Sequence, residues 1–335
     1  MNKVINSALA IAISGFAVSA NANQFWLDFA NTGPAISGDA TDFEGVGANP
    51  VNPLCTSAVG CTTLKDQVDY SYDSSTVITL GADGQISVGD AIHTNGGLNY
   101  LANGGGSAFD VSLFSNNNAG FLPSGGDGGL TDNTNSISGS GGTTWGLSFT
   151  LDLVGSVASI TGAGAGALPD DVTYSSGLIE VFAIVANSNN ADGSIFLDAI
   201  NIFDLTVTGS DFDNNDNLLV KGIVSFDTSA LNAHTVDMAY RDFFNIAGAS
   251  CAGGTSFYDI ATCVPEMEVT FQIDQNLDNP QLLGVTLDDQ GFPISALIGG
   301  DHNGSMDFAV PVPAPLFLIG GALLGLAGMG RRKLA

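Results

Sequence analysis

Alternation of apolar and polar residues is the most regular feature of this chain. Apolar residues occupy every second position in Trp145–Val154, and Phe203–Gly209 and Glu268–Asp274 repeat the pattern. A period of two places alternate side chains on opposite faces of a β-strand. The pattern therefore predicts three strands with one buried face each. That face is formed by Trp145, Leu147, Phe149, Leu151, Leu153, Phe203, Leu205, Val207, Val269, Phe271 and Ile273.

Further short apolar runs, separated by clusters of Gly, Asn and Asp, also indicate strands. They are Phe25–Phe29, Gln67–Tyr72, Thr76–Leu80, Gln85–Ile92, Phe109–Phe114, Leu178–Val185, Ile195–Ala199 and Leu218–Phe226. Many short strands with such turns are typical of an all-β chain, and we expect an antiparallel β-sandwich or jelly-roll-like domain with long Gly/Asn-rich loops. Only Thr235–Phe244 suggests a short helix, and Asn116–Gly142 is expected to be a long loop.

Charge narrows the range of partners. All 34 acidic residues lie within residues 23–309, whereas only three of the seven basic residues do, Lys65, Lys221 and Arg241, which gives this stretch a formal charge of −31. Such a surface repels nucleic acid and attracts divalent cations or cationic partners. With 20 Phe and 44% hydrophobic residues, the chain has enough apolar material to fold. We therefore expect a folded acidic domain that does not bind nucleic acid.

Four cysteines are present, Cys55, Cys61, Cys251 and Cys263. In an exported chain an even number favours disulfides, and four cysteines allow three connectivities. The local pairs Cys55–Cys61 and Cys251–Cys263 are favoured because each closes a short loop. A zinc site is the alternative, but there is no Cys-x-x-Cys pair and no nearby His.

The usual catalytic motifs are missing from the sequence. There is no His-x-x-x-His pair, no Gly-x-Ser-x-Gly nucleophile elbow and no Walker-type phosphate loop. Carboxylates from distant strands could still meet as a glycosidase pair. Because the motifs are missing, we expect no enzyme activity and no catalytic residues, and no cofactor other than calcium.

One segment has the spacing of a calcium loop. Asp211, Asp213 and Asn215 match the first three ligand positions of an EF-hand, but Asp216 and Gly222 replace the Gly and Glu that follow in that motif. An EF-hand is therefore excluded. The two remaining interpretations are a looser calcium site in a β-turn and a solvated turn rich in Asp and Asn. Asn187–Gly193, Asp274–Asn279 and Asp301–Gly304 have the same character, and each is expected to be a turn.

The N-terminal residues have the form of a secretory signal peptide. Lys3 precedes the apolar run Ala8–Val18, which ends in the small residues Ala20-Asn21-Ala22. A charged start, a short apolar middle and an A-x-A exit predict cleavage before Asn23. Residues 1–22 are therefore expected to be a signal peptide and residues 23–309 the β-rich extracellular domain.

Residues 310–335 have three successive parts. A proline motif (Val310, Pro311, Val312, Pro313, Ala314) leads into a charge-free stretch, Ala314–Gly330, and the basic residues Arg331, Arg332 and Lys333 follow. The 17 apolar residues cover roughly 25 Å as a helix, near the lower limit for spanning a bilayer. The basic cluster would stop transfer and stay on the cytoplasmic side. A plain permanent anchor is the alternative interpretation.

These three parts resemble the PEP-CTERM sorting signal in its Val-Pro-x-Pro-Ala variant. The resemblance implies recognition by an exosortase-type membrane protease of Gram-negative bacteria, transient anchoring in the membrane, and removal of the tail. Val312 stands where this variant usually has Leu. The segments QISVGDAIHTNGG, TTWGLSFTLDLVG and DHNGSMDFAVPVPA are similar to PEP-CTERM proteins associated with flocculation and extracellular matrix.

The resemblance implies a non-enzymatic protein of the cell surface or extracellular matrix. It would act in biofilm or floc formation, with exopolysaccharide as a partner. The alternatives are a secreted glycan-active enzyme and a calcium-dependent carbohydrate-binding protein. A buried carboxylate pair in a cleft would favour the enzyme, whereas acids confined to loops would favour the matrix protein.

Overall fold

The described part of the protein consists mainly of β-strands. A computed structural model describes residues 23–28, 54, 64, 68–97, 119–121, 145–162, 168–189, 195–212, 217–226, 236–263 and 268–310. The strands are β1 (Phe25–Leu27), β2 (Val68–Thr79), β3 (Ala91–Gly97), β4 (Ala119–Phe121), β5 (Trp145–Thr161), β6 (Leu168–Asn189), β7 (Ile195–Phe212), β8 (Leu218–Ser225), β9 (Phe244–Ile246), β10 (Thr270–Leu287) and β11 (Pro293–Ala309). A 3₁₀ turn, Met238–Tyr240, and one short helix, α1 (Phe257–Ala261), complete these elements.

Eight of the strands form one closed antiparallel sheet. Their order is β2-β3-β5-β6-β7-β8-β10-β11, and β11 pairs back onto β2. The all-β antiparallel class predicted from the sequence is therefore confirmed. Each strand in this ring pairs with its neighbours along the chain. A jelly roll, one of the two expected architectures, contains crossovers between distant strands, and the described strand order does not.

The inner face of the ring holds the main core. Phe149, Leu151 and Leu153 of β5 are buried there, as the alternation predicts, and so are the corresponding residues of β7, of β10 and of the position just before β10. These are Phe203, Leu205, Val207, Val269, Phe271 and Ile273. Burial of such side chains contributes about 1.5–3 kcal/mol each, so the inward positions supply most of the apolar driving force.

Five phenylalanine rings close one end of the ring. Phe203 of β7 and Phe308 of β11 meet Phe25 of β1, Phe244 of β9 and Phe257 of α1, with ring centroids 4.9–5.8 Å apart for the closest pairs. β1 and β9 pair antiparallel as a separate two-stranded sheet. The residues around β9 and α1 therefore act as a plug, which seals this end with aromatic contacts.

Several predicted boundaries differ from the observed ones. The two strands predicted over Gln67–Leu80 form the single strand β2, and the strand predicted over Gln85–Ile92 begins only at Ala91. A turn precedes β3 because the Ser87 N–H donates to Asp90 Oδ2 at 2.8 Å. The predicted strand Phe109–Phe114 lies outside the described residues, and β4 lies within the segment predicted as a loop.

Two of the expected turns are wrong. Asp274–Asn279 lies within β10 and Asp301–Gly304 lies within β11, and the two segments face each other in register. β11 also pairs with β2, so its backbone is hydrogen-bonded on both sides. Pairing on both sides satisfies the backbone regardless of the low strand propensity of Asp, Asn and Gly. The strand β11 was not predicted from the sequence.

The helical elements also differ from expectation. Only Met238–Tyr240, within the predicted helix Thr235–Phe244, is helical, and the Asp237 side chain caps it by accepting from the Ala239 N–H. α1 was not predicted, although Ser256 and Asp259 form a capping box at its start. None of the helices among the described residues has the length and apolar character needed to cross a membrane. The predicted signal peptide and the predicted sorting helix lie outside the described residues.

Opposite the aromatic plug, the β10–β11 hairpin exposes apolar side chains. β8 pairs with β10 only as far as Gln275, whereas β10 and β11 continue together to the turn at Asp288–Phe292. Six large apolar residues here are 42–53% exposed: Leu282, Leu283, Val285, Leu287, Phe292 and Ile294. We call this region the apolar hairpin tip, and exposed apolar side chains gathered in this way often mark contact sites.

Gly97 at the end of β3 lies where β3 packs closely against β5. Its φ is +66°, and a Cβ there would collide with the carbonyl oxygen of Phe149 on β5. We expect Gly97→Ala to lower the free energy of unfolding by at least about 2 kcal/mol, because it combines left-handed strain with a backbone clash. Urea unfolding at 25 °C measures the change.

Gly209 of β7 is the matched control for this substitution. A Cβ at Gly209 meets no atom within 4 Å, so Gly209→Ala should change stability by less than about 0.5 kcal/mol. Equal effects of the two substitutions would contradict the close β3–β5 approach.

Candidate functional site

The two predicted processing boundaries meet in space. The Asn23 backbone N–H donates to the Phe308 carbonyl at 2.7 Å, and Asn23 Oδ1 accepts from the Val310 N–H at 3.0 Å. Asn23 Nδ2 also donates to the Ala247 carbonyl at 3.0 Å. We call these three contacts the terminal clamp. It joins the first residue after the predicted signal peptide to the first residue of the predicted sorting motif, while Pro311–Ala314 and Arg331–Lys333 lie outside the described residues.

The predicted calcium segment is only partly described. Asp211 is the penultimate residue of β7, and its Oδ2 accepts from Lys221 Nζ on β8 at 3.0 Å. Asp213 and Asn215 lie outside the described residues, so the calcium prediction for this turn stays a prediction. The ion pair is exposed, and exposed pairs contribute little to stability. Asp211 thus already has a cationic partner before any metal is considered.

One of the two predicted disulfides lies within the described residues. Cys251 is bonded to Cys263, which ties β9 and its following turn to the end of α1. Closing a loop of this length contributes about 3 kcal/mol in the chain-entropy account. Beside it, the Arg241 guanidinium lies 5.3 Å from the Tyr258 ring centroid. Cys55 and Cys61 lie outside the described residues.

A groove of about 450 Å³ is lined by residues of β7, β8, β10 and β11, and Ile223, Phe271, Phe308 and Ala309 form the apolar part of its lining. Its polar lining comes from Thr208, Lys221, Glu268, Thr270, Gln272 and Asp307. Register explains this clustering, because Lys221 pairs with Gln272 and Gln272 pairs with Asp307 across adjacent strands. Hydroxyl, amide and charged groups line an open surface here, and such a surface can hydrogen-bond an extended polar ligand.

A second polar cluster is buried on the outer face of β5, β6 and β7. Thr150, Glu180 and Asp204 are cross-strand neighbours in one row, and they are only 2%, 5% and 0% exposed. Thr150 Oγ1 donates to Glu180 Oε2 at 3.1 Å. Asn201, 3% exposed, donates from Nδ2 to Asp204 Oδ1 at 2.9 Å. The structure therefore brings two buried carboxylates together, which the sequence did not predict.

Asn201 contributes an unusual group to this cluster. Its Oδ1 atom is buried and accepts no hydrogen bond among the described residues. A buried acceptor without a donor costs about 1–3 kcal/mol. In native proteins such a group commonly indicates strain, catalysis, or a water or ion that satisfies it.

Sequence signals for this cluster were weak but present. Glu180 is the only charged residue in the apolar run Leu178–Ala186, which marks it as unusual for a buried strand. Asp204 alternates with Phe203 and Leu205 and so appeared to face solvent. The segment at Asp237 contacts β7 close to this cluster, because the Asp237 N–H donates to the Asn201 carbonyl at 2.8 Å.

Acidic residues also share register positions elsewhere in the ring. Asp301 of β11 lies opposite Asp278 of β10 and opposite Asp73 of β2. Like charges at directly opposite positions disfavour pairing. This acidic row shows that the net charge is concentrated in the sheet as well as in the loops. The described residues contain no cluster of three His, Cys, Asp or Glu side chains arranged for a metal ion.

We expect Asn23→Ala to lower the free energy of unfolding by about 1–3 kcal/mol, because both side-chain bonds of the terminal clamp are lost. The Val310 amide should then exchange with deuterium faster than in the unsubstituted protein. Urea unfolding and hydrogen exchange measure the two effects. Gln290→Ala, which removes a comparable amide from an exposed turn, is the control. Unchanged protection of Val310 in Asn23→Ala would show that the clamp does not hold the chain end.

Comparison with protein-family models, with curated proteins and with solved structures finds no match to this chain. A function for the protein therefore rests on its own residues and their placement.

Proposed function

We propose that the protein is an exported, exosortase-sorted, non-enzymatic protein of the cell surface or extracellular matrix. The single observation that supports this most directly is the terminal clamp. Asn23 and Val310, the two residues at which the sequence predicts processing, are hydrogen-bonded to each other. A body bounded by these residues keeps its own contacts when both terminal segments are removed. In this proposal the tail anchors the precursor in the inner membrane of a Gram-negative bacterium until a sorting protease releases it.

The disulfide and the charge fit this destination. Cys251–Cys263 is a bond that persists in oxidising compartments outside the cytosol. The formal charge of −31 between the two boundaries keeps such a protein soluble and away from anionic surfaces. We also propose that the closed sheet is flattened into two facing layers, which would give a β-sandwich-like body.

The groove across β7, β8, β10 and β11 is the proposed contact for exopolysaccharide. A polysaccharide presents many hydroxyl groups along an extended chain, and the groove offers matching donors and acceptors from four strands. The exposed apolar hairpin tip supplies a separate surface for protein contacts. A protein with both surfaces suits a matrix in biofilm or flocs, where polymer and protein assemble together.

A glycan-active enzyme is the second candidate, since Glu180 and Asp204 form a buried carboxylate pair. Glycosidase carboxylates flank the scissile bond and must contact the sugar. Glu180 and Asp204 are 5% and 0% exposed, which leaves no surface for a polymer to reach them. Their placement therefore favours the matrix proposal over the enzyme.

Deletion of the sorting protease tests the route to the surface. We expect cells with the protease to release a protein that lacks everything after roughly Val310–Ala314. Cells without it should accumulate a membrane-bound precursor that carries Arg331–Lys333, and their aggregation should weaken. Mass spectrometry of both chain ends, together with sedimentation of the cells, measures these outcomes.

Deletion of this gene is the control that separates sorting from function. Normal processing with unchanged aggregation in the deletion strain would leave the sorting signal in place and remove the matrix role. An intact C-terminus on released protein would instead remove the sorting proposal.

The groove makes a second prediction. We expect Lys221→Ala combined with Gln272→Ala to weaken binding to exopolysaccharide from the same cells by about tenfold or more, because two hydrogen-bonding groups leave the groove. Ser175→Ala, an exposed change on β6 outside the groove, should bind as the unsubstituted protein does. Affinity electrophoresis in gels that contain the polysaccharide measures both, and equal mobility of the two variants would exclude the groove.

A further inference from the structure

The buried cluster on the outer face of β5, β6 and β7 has a composition that none of the preceding functions uses. It contains the carboxylates of Glu180 and Asp204, the amide of Asn201 and the hydroxyl of Thr150. Every side-chain group except the Asn201 Nδ2 is an oxygen. Oxygen donors of this kind are the ligands of hard divalent cations.

A β-bulge brings the members of this cluster onto one face. Phe182 pairs with Asn201 and Val181 pairs with Phe203, so Ile202 is the extra residue in β7. Ile202 and Phe203 are both buried in the core. Because the bulge shifts the alternation by one position, Asn201 and Asp204 share the outer face although they are three residues apart. Bulges often redirect side chains in this way next to functional sites.

The Asn201 amide supplies an observation that is independent of the carboxylates. Its Nδ2 donates to Asp204 Oδ1 at 2.9 Å, which holds the amide group next to this carboxylate. That oxygen is buried and has no donor among the described residues. An oxygen in this position needs either a hydrogen-bond donor or a cation.

We propose that this cluster is a calcium site, with Glu180, Asp204 and the amide oxygen of Asn201 as protein ligands. Two carboxylates balance the charge of one divalent cation. Thr150 positions Glu180 through its hydroxyl, and water completes the six to eight oxygens that calcium takes. A bulged strand offers irregular spacing, which suits the flexible geometry of calcium better than the strict octahedron of magnesium.

The proposed site differs from the turn at Asp211, Asp213 and Asn215. It draws its ligands from two strands, β6 and β7, and both carboxylates are almost fully buried. Asp211 in contrast is exposed and paired with Lys221. Calcium bound there would hold β6 and β7 together at the bulge.

Calcium binding is tested on the exported protein after treatment with EGTA. Isothermal titration with CaCl₂ gives the number of ions, and scanning calorimetry gives Tm with and without calcium. We expect calcium to raise Tm by about 5 °C at a hundredfold excess over Kd. Glu180→Gln should lose one bound ion, or bind it about 100-fold more weakly, because a charged ligand is replaced by a neutral one.

Three further variants distinguish calcium binding at this cluster from calcium binding at other carboxylates. Asp152→Asn changes an exposed carboxylate on the same face of β5 and should bind calcium as the unsubstituted protein does. Asp213→Ala and Asp301→Asn remove carboxylates from the turn and from the acidic row. Calcium stabilisation that disappears in either of these variants and persists in Glu180→Gln would overturn the proposal.

If Glu180→Gln fails to fold, Asn201→Asp tests calcium binding instead. A third carboxylate is a better calcium ligand but a worse neighbour for two buried acids without a cation. The calcium-dependent rise in Tm should therefore be larger in Asn201→Asp than in the unsubstituted protein. If Asn201→Asp lowers Tm by the same amount with calcium and with EGTA, the cluster is a structural polar network without a metal.

Discussion

The pairing of β11 with β2 is the contact on which the remaining structure depends. Ser295–Met306 of β11 pairs in unbroken register with Val68–Thr79 of β2, and this seam turns an open sheet into a ring. Without it, β2 and β11 would each present a free edge, and exposed edges favour pairing with other chains. The seam also encloses the core, because Ile78, Ala296 and Ile298 are buried beside it. Since the seam joins segments more than 200 residues apart, it requires nearly the whole domain to be in place.

Closure also determines where chemistry can occur. The inner face is filled by apolar side chains, so polar groups gather on the outer face, either exposed as in the groove or buried as around Asp204. The segment from Val236 to Cys263 has two roles in this arrangement. Its phenylalanines plug one end of the ring, and the Asp237 N–H at the start of its 3₁₀ turn donates to the Asn201 carbonyl. One segment therefore contacts both the aromatic plug and the backbone of the acidic cluster.

Sequence patterns predicted the inward residues better than the strand limits or the sites. Phe149, Phe203 and Phe271 were correctly placed in the core, because alternation is a local property that survives folding. β11 was missed because its Asp, Asn and Gly residues have low strand propensity, and pairing with two neighbours outweighs that propensity. Asp204 was expected to face solvent because the local alternation of residues does not reveal that this part of the outer face is buried. The terminal clamp and the bulge at Ile202 depend on contacts between distant or irregular backbone positions, which no spacing rule reports.

The position of β11 has a mechanical consequence. Val310 follows directly after β11, and β11 is hydrogen-bonded to β10 on one side and to β2 on the other. Antiparallel hydrogen bonds run perpendicular to the strands. A force applied through the residues beyond Val310 would therefore load these bonds in shear, many at once, instead of opening them one after another like a zipper. A domain held by this end could resist drag from flowing water while it remained attached.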